Sequence, residues 1–361
     1  MKKIYNFSAG PGTLPQDALN AASQAMLDYE ENGISILEMS HRSQQVVELM
    51  KNTTDLAREL LSVPNNFHIL WLQGGASTQF SMAPMNLLPN NKTADYTDTG
   101  LWAAKAISEA KAFGSINIIS STKESLYNHI YKDLEQTPNA IYMHITSNNT
   151  IYGTQWKSFP NTLNPDGYII ADMSSDIFSR KINFDPFGLI YAGAQKNMGP
   201  AGVTMVIIRD DILGKVNRQI PTMLDYNTHI NKQSAFNTPP VSAIFVVNKT
   251  LSWLNKLGGV DKVENINRIK SERLYQEIER NSIFTCPVNK EDRSEMNVPF
   301  ILTDNGDENE FLKFCADRGL LALKGHRSVG GFRASIYNAM PIDGIDALIL
   351  AMQDYESHHS K

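Results

Sequence analysis

Apolar positions along this chain fall into two rhythms. Short, nearly unbroken apolar runs at residues 67–72, 94–98, 116–120, 140–146, 167–171 and 203–208 have the length and β-branched content of buried strands. Between them the apolar residues recur every three to four positions, as on one face of a helix. Such patterns cover residues 16–31, a stretch opening near Gln44 whose stripe is Val46, Val47, Leu49, Met50, Leu56, Leu60 and Leu61, a helix through Phe80 and Met82, and residues 100–113. Strands that alternate with helices predict an α/β fold, with a mostly parallel sheet covered by helices on both faces. In such sheets ligands gather at the carboxyl ends of the strands, and Gly75, Trp102, Thr150, Asp172 and Lys196 all fall there.

Past Arg209 the rhythm changes. Asn237-Thr238-Pro239-Pro240 is rigid, non-helical punctuation before an apolar helix carrying Ile244, Phe245, Val246, Val247, Leu251, Trp253 and Leu254. A second helix, residues 261–279, reads as a bridge to an α+β part. There a strand at 298–302, a helix at 308–318, strands near Leu321 and Phe332 and a closing helix from Asp343 are expected. The expected division is a large domain of residues 16–262 and a small domain of residues 1–15 with 263–361.

The stretch from Leu189 to Gly202 is the chemical focus. An apolar run closes on Ala192-Gly193-Ala194, delivers Lys196 into a turn with Gly199, Pro200 and Gly202, and resumes at once as a second apolar run. Lys196 therefore sits on a tight connection between buried strands, where an ordinary surface lysine has no reason to be. The run 167–171 ends on Asp172. A lysine able to bond covalently to the cofactor and a carboxylate that keeps a pyridine nitrogen protonated are what pyridoxal 5'-phosphate chemistry requires. Gln73-Gly74-Gly75-Ala76-Ser77-Thr78 adds a strand-to-helix turn of small residues, whose free N–H groups suit a phosphate. It is not a Walker loop, because no Gly-Lys-Ser/Thr follows. Ser40-His41-Arg42-Ser43 and Lys324-Gly325-His326-Arg327, with Arg333 just beyond, supply cations that matter if the substrate is an anion.

Composition removes other classes. A net charge of -5 with mixed signs over 361 residues carries no basic face for nucleic acid or an anionic membrane. The opening residues hold no apolar signal region and no run reaches a membrane span, so a cytoplasmic protein is expected. Cys286 and Cys315 lack the number and spacing for a disulfide framework or a metal site, and are expected to be reduced packing residues.

The residues now in view resemble the phosphoserine aminotransferase family, of fold type I among pyridoxal phosphate enzymes, over essentially the whole chain. The match is carried by Phe7-Ser8-Ala9-Gly10-Pro11, Ser40-His41-Arg42, Ala192 through Asn197, Phe236 through Pro240, Gly325-His326-Arg327, and Ser335 through Pro341. The resemblance implies a seven-stranded, mostly parallel sheet in the large domain. It implies Lys196 as the cofactor lysine, Asp172 on the ring nitrogen, Trp102 stacked on the ring and Thr150 near its hydroxyl. Ala76, Ser77 and Gln195 would meet the cofactor phosphate, with Asn237 and Thr238 reaching it from a partner subunit of a homodimer with shared sites. Some members carry arginine where this chain has Ser77, so phosphate neutralisation rests more on the helix N-terminus. The implied reaction exchanges the amino group between L-glutamate and 3-phosphohydroxypyruvate, giving O-phospho-L-serine, and extends to 4-phosphohydroxy-L-threonine of pyridoxine synthesis. Arg333 would clamp the shared α-carboxylate, and His41, Arg42, His326 and Arg327 the distal anion. Two rivals are weaker. A cysteine desulfurase needs a mobile, exposed cysteine, and an idle cofactor-binding protein has no need of both Lys196 and Asp172.

Overall fold

The computed structural model describes residues 3–303 and 306–359. In chain order the strands are β1 (Tyr5–Asn6), β2 (Phe67–Leu72), β3 (Thr93–Asp98), β4 (Ser115–Ser121), β5 (Tyr142–Thr146), β6 (Tyr168–Asp172), β7 (Phe187–Gly193), β8 (Thr204–Arg209), β9 (Phe284–Thr285), β10 (Asn297–Leu302), β11 (Leu320–Leu321) and β12 (Phe332–Ser335). The helices are α1 (Gln16–Leu27), α2 (Gln44–Leu61), α3 (Gly75–Leu87), α4 (Leu101–Ala110), α5 (Tyr226–Asn231), α6 (Val241–Lys256), α7 (Gly259–Arg280), α8 (Glu308–Ala316) and α9 (Ile342–His359).

Seven strands form the central sheet in the order β2-β8-β7-β6-β5-β3-β4. Only β8 runs against its neighbours; β7, β6, β5, β3 and β4 pair in parallel. Its central strands are buried on both faces, which explains why they read as continuous apolar runs and not as alternating ones. The period of two is still present as a choice between two apolar layers. Ile69, Trp71, Met143, Ile145, Ile169, Ala171, Ile190, Ala192, Met205 and Ile207 face one layer, with residues of α1, α2 and α6. Leu70, Leu72, Tyr142, Ile170, Leu189, Tyr191, Val206 and Ile208 face the other, with residues of α3 and α4.

A third core gathers Phe7 with Leu274 and Ile278 of α7, Val298 and Phe300 of β10, Phe332 of β12, and residues of α8 and α9. Cys315 is buried in it, Cys286 packs against it, and both are free thiols. Burial pushes the Cys315 thiol up to about 12, so it is a packing group and not a nucleophile. Among the described residues no helix is long and apolar enough to cross a membrane.

Three details depart from the sequence pattern. Helix α1 stops at Leu27 and not at residue 31: Asp28 is extended, Glu30 and Glu31 take positive φ, and Tyr29 N–H bonds the carbonyl of Ile34 to close a turn. The Asn32-Gly33 pair favours that turn over another helical one. Val47, expected in the buried stripe of α2, is 52% exposed. The buried positions 46, 49, 50, 53, 57 and 61 keep the three-four spacing, and Val47 lies one residue off it. The pairing of β1 with β11 joins segments more than three hundred residues apart, and two-residue strands have no periodicity to read.

Candidate active site

Strands β5 and β6 end in register, with Thr146 opposite Asp172, and β7 runs two residues past Tyr191, the partner of Asp172. The loops that follow therefore bring Thr150, Asp172 and Lys196 to one edge of the sheet. Lys196 Nζ donates to Thr150 Oγ1 at 2.7 Å and stands 5.6 Å from the centroid of the Trp102 ring. Burial lowers the Lys196 ammonium to about 8, offset in part by the Asp172 carboxylate and reinforced by Arg333. An appreciable share of the amine is thus uncharged near neutral pH, as a nucleophile must be.

Asp172 is buried, and burial raises its pKa, while Lys196 and the Ser174 hydrogen bonds pull it down. Its Oδ1 accepts from Ser174 N–H at 2.9 Å and from the Ser174 hydroxyl at 2.6 Å. That hydroxyl accepts in turn from Gly193 N–H at 3.1 Å. The chain of bonds fixes the carboxylate against β7 and leaves Oδ2 for another donor.

The opening segment closes over the lysine turn. Gly12 N–H donates to the Gln195 carbonyl at 2.8 Å, and a Cβ on Gly12 would sit 2.6 Å from the Lys196 carbonyl oxygen, so only glycine fits. Gln195 is itself exposed.

At the end of β2, Gly74 has φ +94°, and a Cβ there would meet Thr78 Oγ1 at 2.0 Å. This turn opens α3, with Ala76 and Ser77 in its first turn and no acidic residue there. Ser77 is exposed. Asn237 Nδ2 lies 3.5 Å from Gln73 Oε1 of the same chain, and both residues line a cavity of about 230 Å³ with Gly74 and Thr78. Thr238 is exposed beside it.

The cations divide. Arg333 donates through Nη1 to the Thr150 carbonyl at 3.1 Å, and its buried Nε has no partner among the described residues. His326 and Arg327 stand in the loop before β12; burial, Arg333, Arg327 and Lys105 all depress the His326 imidazolium. His41 and Arg42 occupy the turn that leads into α2. No hydrogen bond or ion pair among the described residues joins them to Lys196, Asp172 or Arg333, and His41 Nε2 is buried without a partner.

The class-V aminotransferase family model matches residues 4–348. The chain is 50% identical to the phosphoserine aminotransferase of Flavobacterium psychrophilum and 48% identical to that of Desulfotalea psychrophila, each over 99% of both chains. It belongs to the phosphoserine aminotransferases of class V. Its fold superimposes on the phosphoserine aminotransferase of Bacillus circulans with a TM-score of 0.95, at 43% identity over 99% of both chains. The pyridoxal phosphate-bound phosphoserine aminotransferase of Trichomonas vaginalis gives 0.92, at 38% identity over 97% of this chain and 100% of that one. The enzyme is accordingly a pyridoxal phosphate-dependent aminotransferase of fold type I.

The residues present fit that cofactor. Trp102 Nε1 and Arg333 Nε are buried and, among the described residues, unpaired, which costs free energy in the protein alone and suits them to acceptors on a bound group. The Trp102 face, the α3 amides and Asp172 Oδ2 offer an aromatic platform, an anion cradle and an acceptor for a ring N–H. Sequence reasoning missed four supporting groups. Ser174 orients Asp172; Lys105, on α4 one turn past Trp102, holds its Nζ 4.7 Å from that ring. Asn197, directly after Lys196, donates to the Ile177 carbonyl at 2.6 Å, and Tyr337 donates its hydroxyl to the Ala9 carbonyl at 2.6 Å. Ser174 was readable as a hydroxyl two residues past the strand-end acid, and Asn197 and Tyr337 as members of segments that carry the family resemblance.

Proposed function

We propose that this enzyme interconverts L-glutamate and 3-phosphohydroxypyruvate with O-phospho-L-serine and 2-oxoglutarate, the reaction named by its relatives. The supporting observation is the trio of Lys196, Asp172 and Arg333: one amine bonded to Thr150, one buried carboxylate whose field acts on that amine, and one guanidinium that also bonds Thr150 and whose Nε has no partner among the described residues. Pyridoxal phosphate, when bound, supplies the electron sink for the pair left by a departing Cα proton. In this reading Lys196 is the base that takes and returns that proton, and anionic Asp172 keeps the ring nitrogen protonated. Arg333 takes the α-carboxylate as a fork, with its Nε completing the pair of donors. In this reading His326, with Arg327 and Lys105 whose charges act on it, would neutralise a distal phosphate or carboxylate. Ala76, Ser77 and the α3 amides hold the cofactor phosphate, and Trp102 stacks on the ring. Mixing the yellow holoenzyme with L-glutamate should bleach the visible band stoichiometrically and release 2-oxoglutarate. An unreactive band would reject the transaminase reading, and equal rates with alanine and phosphoserine would reject the substrate assignment.

We read the chain as a homodimer in which Asn237 and Thr238, with His41 and Arg42, serve the partner's site. The reading is supported by their lack of contact with Lys196 in one chain, although Asn237 leans on its own Gln73. Lys196→Ala and Thr238→Asp chains, each inactive, would be unfolded, mixed and refolded. Sharing predicts recovery of roughly a quarter of wild-type sites by random pairing. No recovery from proven hybrid dimers assigns those residues to their own subunit.

A further inference from the structure

Lys270, in the middle of α7, is fully buried, and among the described residues no carboxylate pairs with it. Its Nζ donates to three backbone carbonyls, of Ile336 at 3.0 Å, Tyr337 at 2.7 Å and Met340 at 3.2 Å. Burial lowers its pKa to about 7. Three acceptors nevertheless call for three N–H groups, and only the ammonium carries three. A buried ammonium held by carbonyls alone is a costly way to tie down a turn that apolar packing could fix.

What that turn holds explains the expense. Tyr337 donates its hydroxyl to the Ala9 carbonyl at 2.6 Å, accepts from Asn297 at 3.2 Å, and lies beside the Thr150 hydroxyl that receives Lys196. Asn338 N–H donates to Asn197 Oδ1 at 2.9 Å, directly after Lys196, and its side chain donates to the Phe178 carbonyl at 2.9 Å. Asn197 in turn donates to the Ile177 carbonyl at 2.6 Å. Asn267, one turn before Lys270, donates to Asn338 Oδ1 at 2.8 Å. Two residues of one carbonyl-bound turn thus reach both sides of the reactive amine: the hydroxyl it donates to and the residue that follows it.

We infer that Lys270 is a positioning residue for Lys196, setting the place of its amine through the turn of residues 336–340. The plain alternative is an ammonium that only fills a carbonyl-lined hole and adds stability. The two differ in what Lys270→Met does to the full-length holoenzyme. Positioning predicts that the pH midpoint of the cofactor's visible band moves by roughly half a unit or more. It also predicts that kcat for phosphoserine falls on the order of tenfold while KM stays within about twofold. A variant that melts earlier but keeps the wild-type midpoint and kcat would overturn the inference. Arg273→Ala serves as control, because it removes only an exposed pair between α7 and Asp346 on α9. The same midpoint shift in that control would also overturn it. Should Lys270→Met fail to fold, Tyr337→Phe tests the next link, since it deletes one hydroxyl and leaves the ring packing intact. It should shift the midpoint in the full-length holoenzyme, and an unmoved midpoint rejects the path from the turn to Lys196. The midpoint readout depends on Lys196 and not on which amino acid is the substrate, so its failure is distinguishable from a failure of the substrate assignment.

Discussion

Lys196 and Lys270 are two lysines that the fold takes out of water, and burial lowers both, to about 8 and about 7. Their surroundings differ in kind. Lys196 has one hydroxyl, an aromatic face and a carboxylate whose field holds its pKa up. Lys270 has three carbonyls and, among the described residues, no charge opposite it. The first arrangement leaves the amine free to change partner and protonation state, because none of its contacts needs a third N–H. The second commits every proton to a backbone acceptor. Chemistry is therefore possible at one lysine and excluded at the other, although burial lowers the pKa of both.

The comparison is sharpened most by the charge opposite Lys196. Asp172→Asn keeps shape but removes the anion, and should slow Cα-proton removal by roughly a hundredfold, as loss of a fixed charge at a reacting centre does. Single-turnover rates with phosphoserine check this, with cofactor retention measured in parallel. A rate within twofold of wild type would show that Asp172 is no more than a neutral neighbour.

Arg333 and Arg327 should separate in the same way that the lysines do, by what each faces. Truncating one partner of a buried charge pair costs about 2–5 kcal/mol, which is roughly thirtyfold or more in affinity. Arg333→Ala should impose that loss on every amino acid, through the shared α-carboxylate. Arg327→Ala should penalise phosphoserine and glutamate but spare alanine. KM values for the three amino acids decide it, and identical losses in both variants would refute the division of work.

Much of this was legible in the chain. The strand-end acid and the lysine turn were marked by apolar runs closing on Asp172 and Gly193, because parallel strands buried on both faces leave no other place for a charge. The helix phases were legible wherever a stripe ran long, as in α2, and failed where one residue beside it was also apolar, as at Val47. The support behind the site was not legible. Lys270, Asn197 and Tyr337 act through backbone carbonyls and amides brought together from segments some seventy to three hundred residues apart, and backbone groups leave no mark in side-chain patterning. Asp172 and Ser174 lie two residues apart, yet the role of Ser174 depends on Gly193 of the next strand.

The pH dependence of Lys196 offers a smaller effect, tenfold per unit. Capture of pyridoxal phosphate by the apoenzyme needs the uncharged amine, and a pKa lowered to about 8 means that this form is lost as pH falls below 8. The capture rate should drop about tenfold per pH unit below that point and level off above it. A plateau beginning only near pH 10 would show that burial does not tune this amine.

The smallest expected effect tests whether Asp172 is held or merely present. Ser174→Ala removes the 2.6 Å bond to Oδ1 and leaves the Ser174 N–H bond at 2.9 Å, so the carboxylate keeps one of its two donors. It also strips Gly193 N–H of its acceptor in a buried position, which loosens β7 just before the lysine turn. Hydrogen bonds to the anion hold the Asp172 pKa down against burial, so losing one must raise it. The carboxylate is then protonated at a higher pH, and the acid limb of the kcat profile should move upward. At neutral pH kcat should fall only about fivefold, in line with a net hydrogen bond of about 1 kcal/mol. Ser174→Thr, which restores the hydroxyl, should return the acid limb toward its wild-type position. An acid limb that does not move in Ser174→Ala would mean that the strand end alone orients Asp172, and that the serine serves Gly193.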